Sequence, residues 1–159
     1  MSRRLSRFHV FLRASCGVLL AALCATGCAT TSIAPPRGVA PHTATMRVTG
    51  YCNCQKCCGW EHSLFGLGRP VYASGPNKGK PKTVGLTASG AKARRGTVAA
   101  DPSVPFGTVV KIPGYGYGRV EDRGGAIKGN SLDLWFPSHK AAQEWGRKTL
   151  NVTIWPVSQ

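Results

Sequence analysis

Three aspartates, Asp101, Asp122 and Asp133, and three glutamates are all the carboxylates in a chain of 159 residues that carries 21 lysines and arginines. Two of the aspartates flank a glycine-rich turn in one short stretch, RVEDRGGAIKGNSLDLWF, residues 119–136. A carboxylate beside an apolar strand is costly unless it is paired or put to use. In the run SLDLWF, strand alternation sends Leu132 and Leu134 to one face and Asp133 to the other, with Ser131 and Trp135. Burial against that indole and repulsion from Asp122 or Asp101 would raise the pKa of Asp133, which is what a general acid working near neutral pH needs. The plainer alternatives are a salt bridge between Asp122 and the adjacent Arg123, and an ordinary turn role for Asp101 before Pro102.

The elements that must hold these groups are short. Residues 45–52, 84–90, 96–101, 107–113, 118–124, 130–136 and 149–156 are β-branched or apolar runs bounded by glycine or proline, the pattern of a sandwich or small barrel. Gly50 interrupts the alternation of the first run. The stretch 137–145, PSHKAAQEW, predicts one short helix with Ser138 as N-cap and Gly146 at its C-terminal end. Residues 59–83, rich in glycine, proline and lysine, read as a surface flap, functional or disordered.

Four cysteines, Cys52, Cys54, Cys57 and Cys58, crowd into seven residues, CNCQKCC. In an exported protein disulfides are the default, and the adjacency of Cys57 and Cys58 favours bridges back to Cys52 and Cys54. The rival is a Zn(Cys)₄ knot. Its usual signature is two separated C-x₂-C pairs, so no metal is expected here, and the four histidines lack metal-ligand spacing. No G-x-S-x-G elbow, cysteine–histidine nucleophile or nucleotide motif is present, and no cofactor is expected.

Export is read from the N-terminus. Arg3, Arg4, Arg7 and Arg13 precede an apolar run, residues 14–25, too short for a bilayer that needs about 20 residues. ATGC, ending at Cys28, resembles the lipobox of bacterial lipoproteins, although Ala25 stands where a larger aliphatic is usual. The expected organisation is a lipoprotein-type signal peptide over 1–27, lipidation of Cys28, a Pro- and Thr-rich tether over 28–44 and a domain over 45–159. That implies a membrane-anchored envelope protein, at the outer membrane if the organism has one. Beyond the signal, 17 basic and six acidic residues leave a formal charge near +11, either a generally soluble basic surface or one suited to a polyanion: nucleic acid, anionic lipid or an anionic cell-wall polymer. Export and the absence of aromatic-basic interleaving argue against nucleic acid.

The stretches LTASG, GTVAADPSVPFGTVVKIPGYGYGRVEDRGGAIKGNSLDLWF and WGRKTLNVTIW closely resemble the 3D domain family, named for three aspartates, over about residues 46–155. The resemblance implies an all-β fold, a small six-stranded double-psi β-barrel with one short helix and a cysteine-stapled surface loop. The family's barrel is related to the catalytic barrel of membrane-bound lytic transglycosylase A. It therefore implies cleavage of the MurNAc–GlcNAc β-1,4 bond of peptidoglycan, giving 1,6-anhydro ends. On this resemblance Asp133 falls on the catalytic aspartate, Asp101 and Asp122 on the other two, and Thr87 beside the groove. Ser89, Tyr51, Trp135 and Arg123 are further candidates for substrate contact. Two other readings stand beside it: a barrel that binds or loosens the wall without cutting it, and a structural lipoprotein.

Overall fold

Val48, Val98, Val110, Val120, Leu132, Leu134 and Val152 are each 1% exposed or less and come from six different strands. In the computed structural model, which describes residues 32–64 and 66–157, they are the inward positions of a closed barrel. Its strands are β1 (His42–Tyr51), β4 (Thr97–Ala100), β5 (Val109–Ile112), β6 (Gly116–Asp122), β7 (Ser131–Trp135) and β8 (Lys148–Trp155). Around the barrel the order is β1-β7-β4-β6-β5-β8. Two neighbouring pairs are parallel, β1 with β7 and β4 with β6, and the remaining pairs are antiparallel. This crossed order is the six-stranded double-psi barrel, and it places strands distant in sequence side by side.

The predicted helix is α2 (His139–Trp145), with Ser138 Oγ accepting from the Ala141 amide and Gly146 closing the end at φ 67°. It packs on β1, which explains Gly50: a Cβ there would lie 2.9 Å from the Phe136 ring and 3.1 Å from the Ala142 carbonyl oxygen. The break in alternation marks a close approach of strand and helix. A second, one-turn helix, α1 (Gln55–Cys58), lies within the cysteine run.

Three expectations change. Residues 84–90 form no strand; Gly85 and Gly90 take φ of +79° and +84°, which fold the segment into turns with a single bridge from Leu86 to Lys92. The flap holds structure of its own, a two-stranded sheet of β2 (Trp60–His62) and β3 (Pro70–Tyr72), tied back by Lys82 Nζ donating to the Cys58 carbonyl. The staple at its base is not a disulfide. All four thiols are free, and Cys52 and Cys57 Sγ stand 3.8 Å apart, against about 2.05 Å for a bond. Strand β1 begins at His42, and Cys28 lies outside the described residues.

Candidate active site

Asp133 is placed by register. Leu132 and Leu134 fill the barrel, so Asp133 turns outward, between Thr49 on β1 and Ala99 on β4. Asp122 reaches the same face by a different route. Val98 pairs with Val120, and the next pair is Ala99 with Asp122, so β6 carries one extra residue, Glu121, at a bulge. A bulge re-aims the side chains that follow it. Ala99 thus faces an aspartate on each side, with Cα positions of Asp122 and Asp133 two strand spacings apart, on the order of 10 Å.

The extra residue is itself held. Glu121 is buried; its Oε1 accepts from Arg94 Nη2 at 3.1 Å and its Oε2 from Thr97 Oγ1 at 3.0 Å. Both partners precede or open β4, so the side chain clamps the bulge to the strand it bulges against.

An open cleft of about 260 Å³ lies over this face, lined among others by Tyr51, Asn53, Lys82, Asp122, Arg123 and Asp133. Burial and the charge of Asp122 push the Asp133 carboxyl up to about 6, against the opposing effect of Thr49 Oγ1, which donates to it at 2.8 Å. Tyr51 donates its hydroxyl to Asp122 Oδ2 at 2.7 Å, and burial with the neighbouring carboxylate raises its pKa far enough to leave it a donor only. The other oxygen of Asp122 accepts from the amides of Ala88 at 3.0 Å and Arg123 at 2.8 Å. Asp122 is therefore held in place by three donors and Asp133 by one. Cys58 also lines the cleft, but burial pushes its thiol up to about 11, so it is not a thiolate at neutral pH.

The other sequence candidates divide. Asp101 stands outside the cleft lining; its two oxygens accept from the amides of Ser103 and Gly129, tying the end of β4 to the β6–β7 turn. Those bonds, with Lys128 nearby, lower its pKa to about 2. Thr87 is buried and bonds Ala91 and Ser89 within the 85–93 turns, which deliver the Ala88 amide to Asp122. Trp135 donates its indole N–H to Asn53 Oδ1, and Asn53 in turn lines the cleft. Arg123 makes no salt bridge to Asp122: its guanidinium donates to the carbonyls of Ala100, Asp122 and Val104 and stacks on Phe106 at 4.0 Å.

Sequence reasoning missed Asn53, Lys82 and Glu121, none of which sits in a chemical motif. It also missed His139, whose Nδ1 lies 3.5 Å from Cys54 Sγ and 3.3 Å from Cys57 Sγ. A second hollow of about 300 Å³, lined by Ala34, Pro36, Gly107, Val109, Arg119, Pro156 and Val157, offers no acid or nucleophile.

Residues 96–156 match the 3D domain. The putative cell wall shaping protein YabE of Bacillus subtilis is 47% identical over 58 residues, 36% of this chain and 14% of that protein. The cell wall-binding protein YocH of the same organism is 41% identical over 75 residues, 44% of this chain and 26% of that protein. The chain thus spans about a quarter or less of the length of these relatives. MltA from E. coli, known from its crystal structure, is similar at 24% identity and a TM-score of 0.38, over 50% of this chain and 30% of that one. Asp101, Asp122 and Asp133 all fall inside the segment, residues 96–156, that matches the 3D domain.

Proposed function

We propose that the cleft cuts peptidoglycan glycan strands by lytic transglycosylation, with Asp133 as its acid and base. The observation that carries this reading is the half-buried Asp133 carboxyl, titrating near 6 at the floor of an open cleft beside a second, immobilised carboxylate. The names of the two relatives, one cell wall-binding and one putatively cell wall shaping, support the substrate class.

The chemistry requires one titrating group. Protonated Asp133 gives its proton to the glycosidic oxygen as the C1–O bond breaks, and the GlcNAc leaves with a free hydroxyl. Asp122, held in place by its donors, faces the positive charge that develops at C1. The 6-hydroxyl of the same muramic acid then closes on C1, and Asp133 takes its proton. The product is a 1,6-anhydro end; no water is consumed, and the carboxyl is returned protonated. Hydrolysis with a separate base would need a second carboxylate free to activate water, whereas both oxygens of Asp122 are occupied by donors.

The test incubates the full-length chain in detergent with purified peptidoglycan and reads released fragments by mass spectrometry. Fragments ending in 1,6-anhydro-muramic acid are expected, and reducing ends alone would overturn the mechanism. The name of the 41% identical relative favours a second reading, a barrel that binds the wall without cutting it. Intact glycan with the chain sedimenting on the wall would establish that reading instead.

Ala99 separates the two aspartates, so the gap it leaves is where a sugar must sit. Ala99→Leu is expected to lower turnover on the order of 100-fold by misplacing the substrate, with the circular dichroism spectrum unchanged. Retained turnover would move the reacting bond away from this gap. Membrane attachment through lipidated Cys28 belongs to the same reading, and is checked by whether Cys28→Ser shifts the chain from the detergent phase to the aqueous phase.

A further inference from the structure

The cysteine run presents a geometry that neither a disulfide nor a set of separate thiols explains. Cys52, Cys54 and Cys57 Sγ and a ring nitrogen of His139 all lie within 4.8 Å of one another. Bond lengths of about 2.3 Å to sulfur and 2.0–2.1 Å to nitrogen, set at tetrahedral angles, require S···S edges of about 3.8 Å and S···N edges of about 3.5 Å. The observed edges are 3.8 Å for Cys52–Cys57, 3.5 Å for Cys54–His139 and 3.3 Å for Cys57–His139. Three edges of the figure therefore already have the dimensions of a coordination tetrahedron. From this geometry we propose that Cys52, Cys54, Cys57 and His139 form a tetrahedral Cys₃His site for Zn²⁺.

Three soft sulfurs with one imidazole suit zinc rather than calcium or magnesium, whose ligands are oxygens. Four protein ligands leave no open position, so the site is structural. The fourth cysteine stands apart: Cys58 Sγ donates to the Cys52 carbonyl at 3.1 Å and turns to the cleft. The lack of two separated C-x₂-C pairs, which argues against a Zn(Cys)₄ knot in sequence, is no obstacle once the fourth ligand comes from another element.

The place in the fold gives the ion a role. Cys52 follows directly on β1, Cys54 and Cys57 bracket the start of α1, and His139 is the first residue of α2. Zinc would tie the end of β1, the base of the flap and α2 into one rigid corner. Tyr51, which holds Asp122, and Asn53, which holds the Trp135 indole, flank Cys52 in sequence. One wall of the cleft is then braced by the metal, whatever reaction the cleft performs.

The test uses the full-length chain purified in detergent under reducing conditions without chelator, with Zn²⁺ and Co²⁺ as probes. One equivalent of zinc by elemental analysis is expected. After its removal, Co²⁺ should restore one equivalent with thiolate-to-cobalt charge transfer and the intense visible bands of a tetrahedral ion. Cys54→Ser and His139→Ala should each weaken binding at least tenfold, whereas Cys58→Ser should keep it. Loss of zinc in Cys58→Ser with retention in His139→Ala would replace the site with a four-cysteine one. Zinc-free protein that takes up no cobalt, or a peptide map showing Cys52 bridged to Cys57 in chain taken directly from the envelope, would overturn the proposal. Because the cobalt spectrum is read on wild type, the outcome does not depend on the folding of any variant.

Discussion

Asp133→Asn is expected to abolish turnover and at the same time make the protein more stable above pH 6. The loss of turnover follows from the role proposed for it: removing a general acid costs on the order of 10²- to 10⁴-fold. The gain in stability follows from linkage. Asp133 titrates near 6 in the folded chain, against about 3.9 when unfolded. The folded state therefore binds this proton more tightly than the unfolded state. Its contribution to stability is intact below pH 4, falls between about pH 4 and 6 as the unfolded chain releases the proton first, and stays lost above that. Two pKa units correspond to about 3 kcal/mol, discounted to roughly 1–2 kcal/mol because Asp133 keeps some contact with solvent. Asparagine carries no charge to bury and can still accept from Thr49 Oγ1. Urea unfolding of both chains at pH 4 and pH 8 should show nearly equal stability at the first and the gap at the second. A gap of equal size at both would mean that Asp133 is not held above its ordinary value. In wild type, turnover should fall about tenfold per pH unit above 6, since only the protonated acid begins the reaction.

The second large effect lies at a residue that touches no substrate. Glu121→Ala removes the acceptor of Thr97 Oγ1, a group with no exposure, and of Arg94, whose side chain is half exposed. Arginine regains water; the buried hydroxyl does not. The expected cost is about 2–3 kcal/mol, and Glu121→Gln, which keeps one acceptor, should cost about 1 kcal/mol. Because Glu121 clamps the bulge that aims Asp122, turnover should fall as well. A role confined to stability would leave the pH profile alone. Displacing Asp122 withdraws the charge that helps raise Asp133, so the alkaline limb should begin at lower pH in Glu121→Ala. An unmoved limb would show that Asp122 keeps its position without the clamp.

What could be read from sequence, and what could not, follows from how local each signal is. The strands at 97–100, 109–112 and 131–135 were legible because each is a short β-branched or apolar run bounded by glycine or proline, and Asp133 between Leu132 and Leu134 declared its face by alternation. Residues 84–90 misled because β-branched and apolar residues there are outvoted by two glycines in left-handed conformation. Sequence offered both Asp122 and Asp101 as neighbours of Asp133 and could not choose between them, since a bulge is a relation between two strands and leaves no period in either. His139 lies 82 residues beyond Cys57, outside the reach of any spacing rule, and only the docking of α2 on β1 brings it to the cysteines. Asp101 fits the motif and yet takes the turn role its proline neighbour suggested.

The bulge in β6 has a consequence for how such barrels diversify. Were the bulge ironed out with every residue kept, Ala99 would face Glu121, the longer side chain now engaged with Arg94 and Thr97, and Asp122 would move one place along the strand. A slip of register by one residue could thus turn Asp122 away from the cleft while leaving all three aspartates in order in the sequence. In this architecture the step from a cleft with two carboxylates to a cleft with one can be crossed by a slip in strand pairing, with no change of identity. An inventory of identities that finds every aspartate present would not register the crossing.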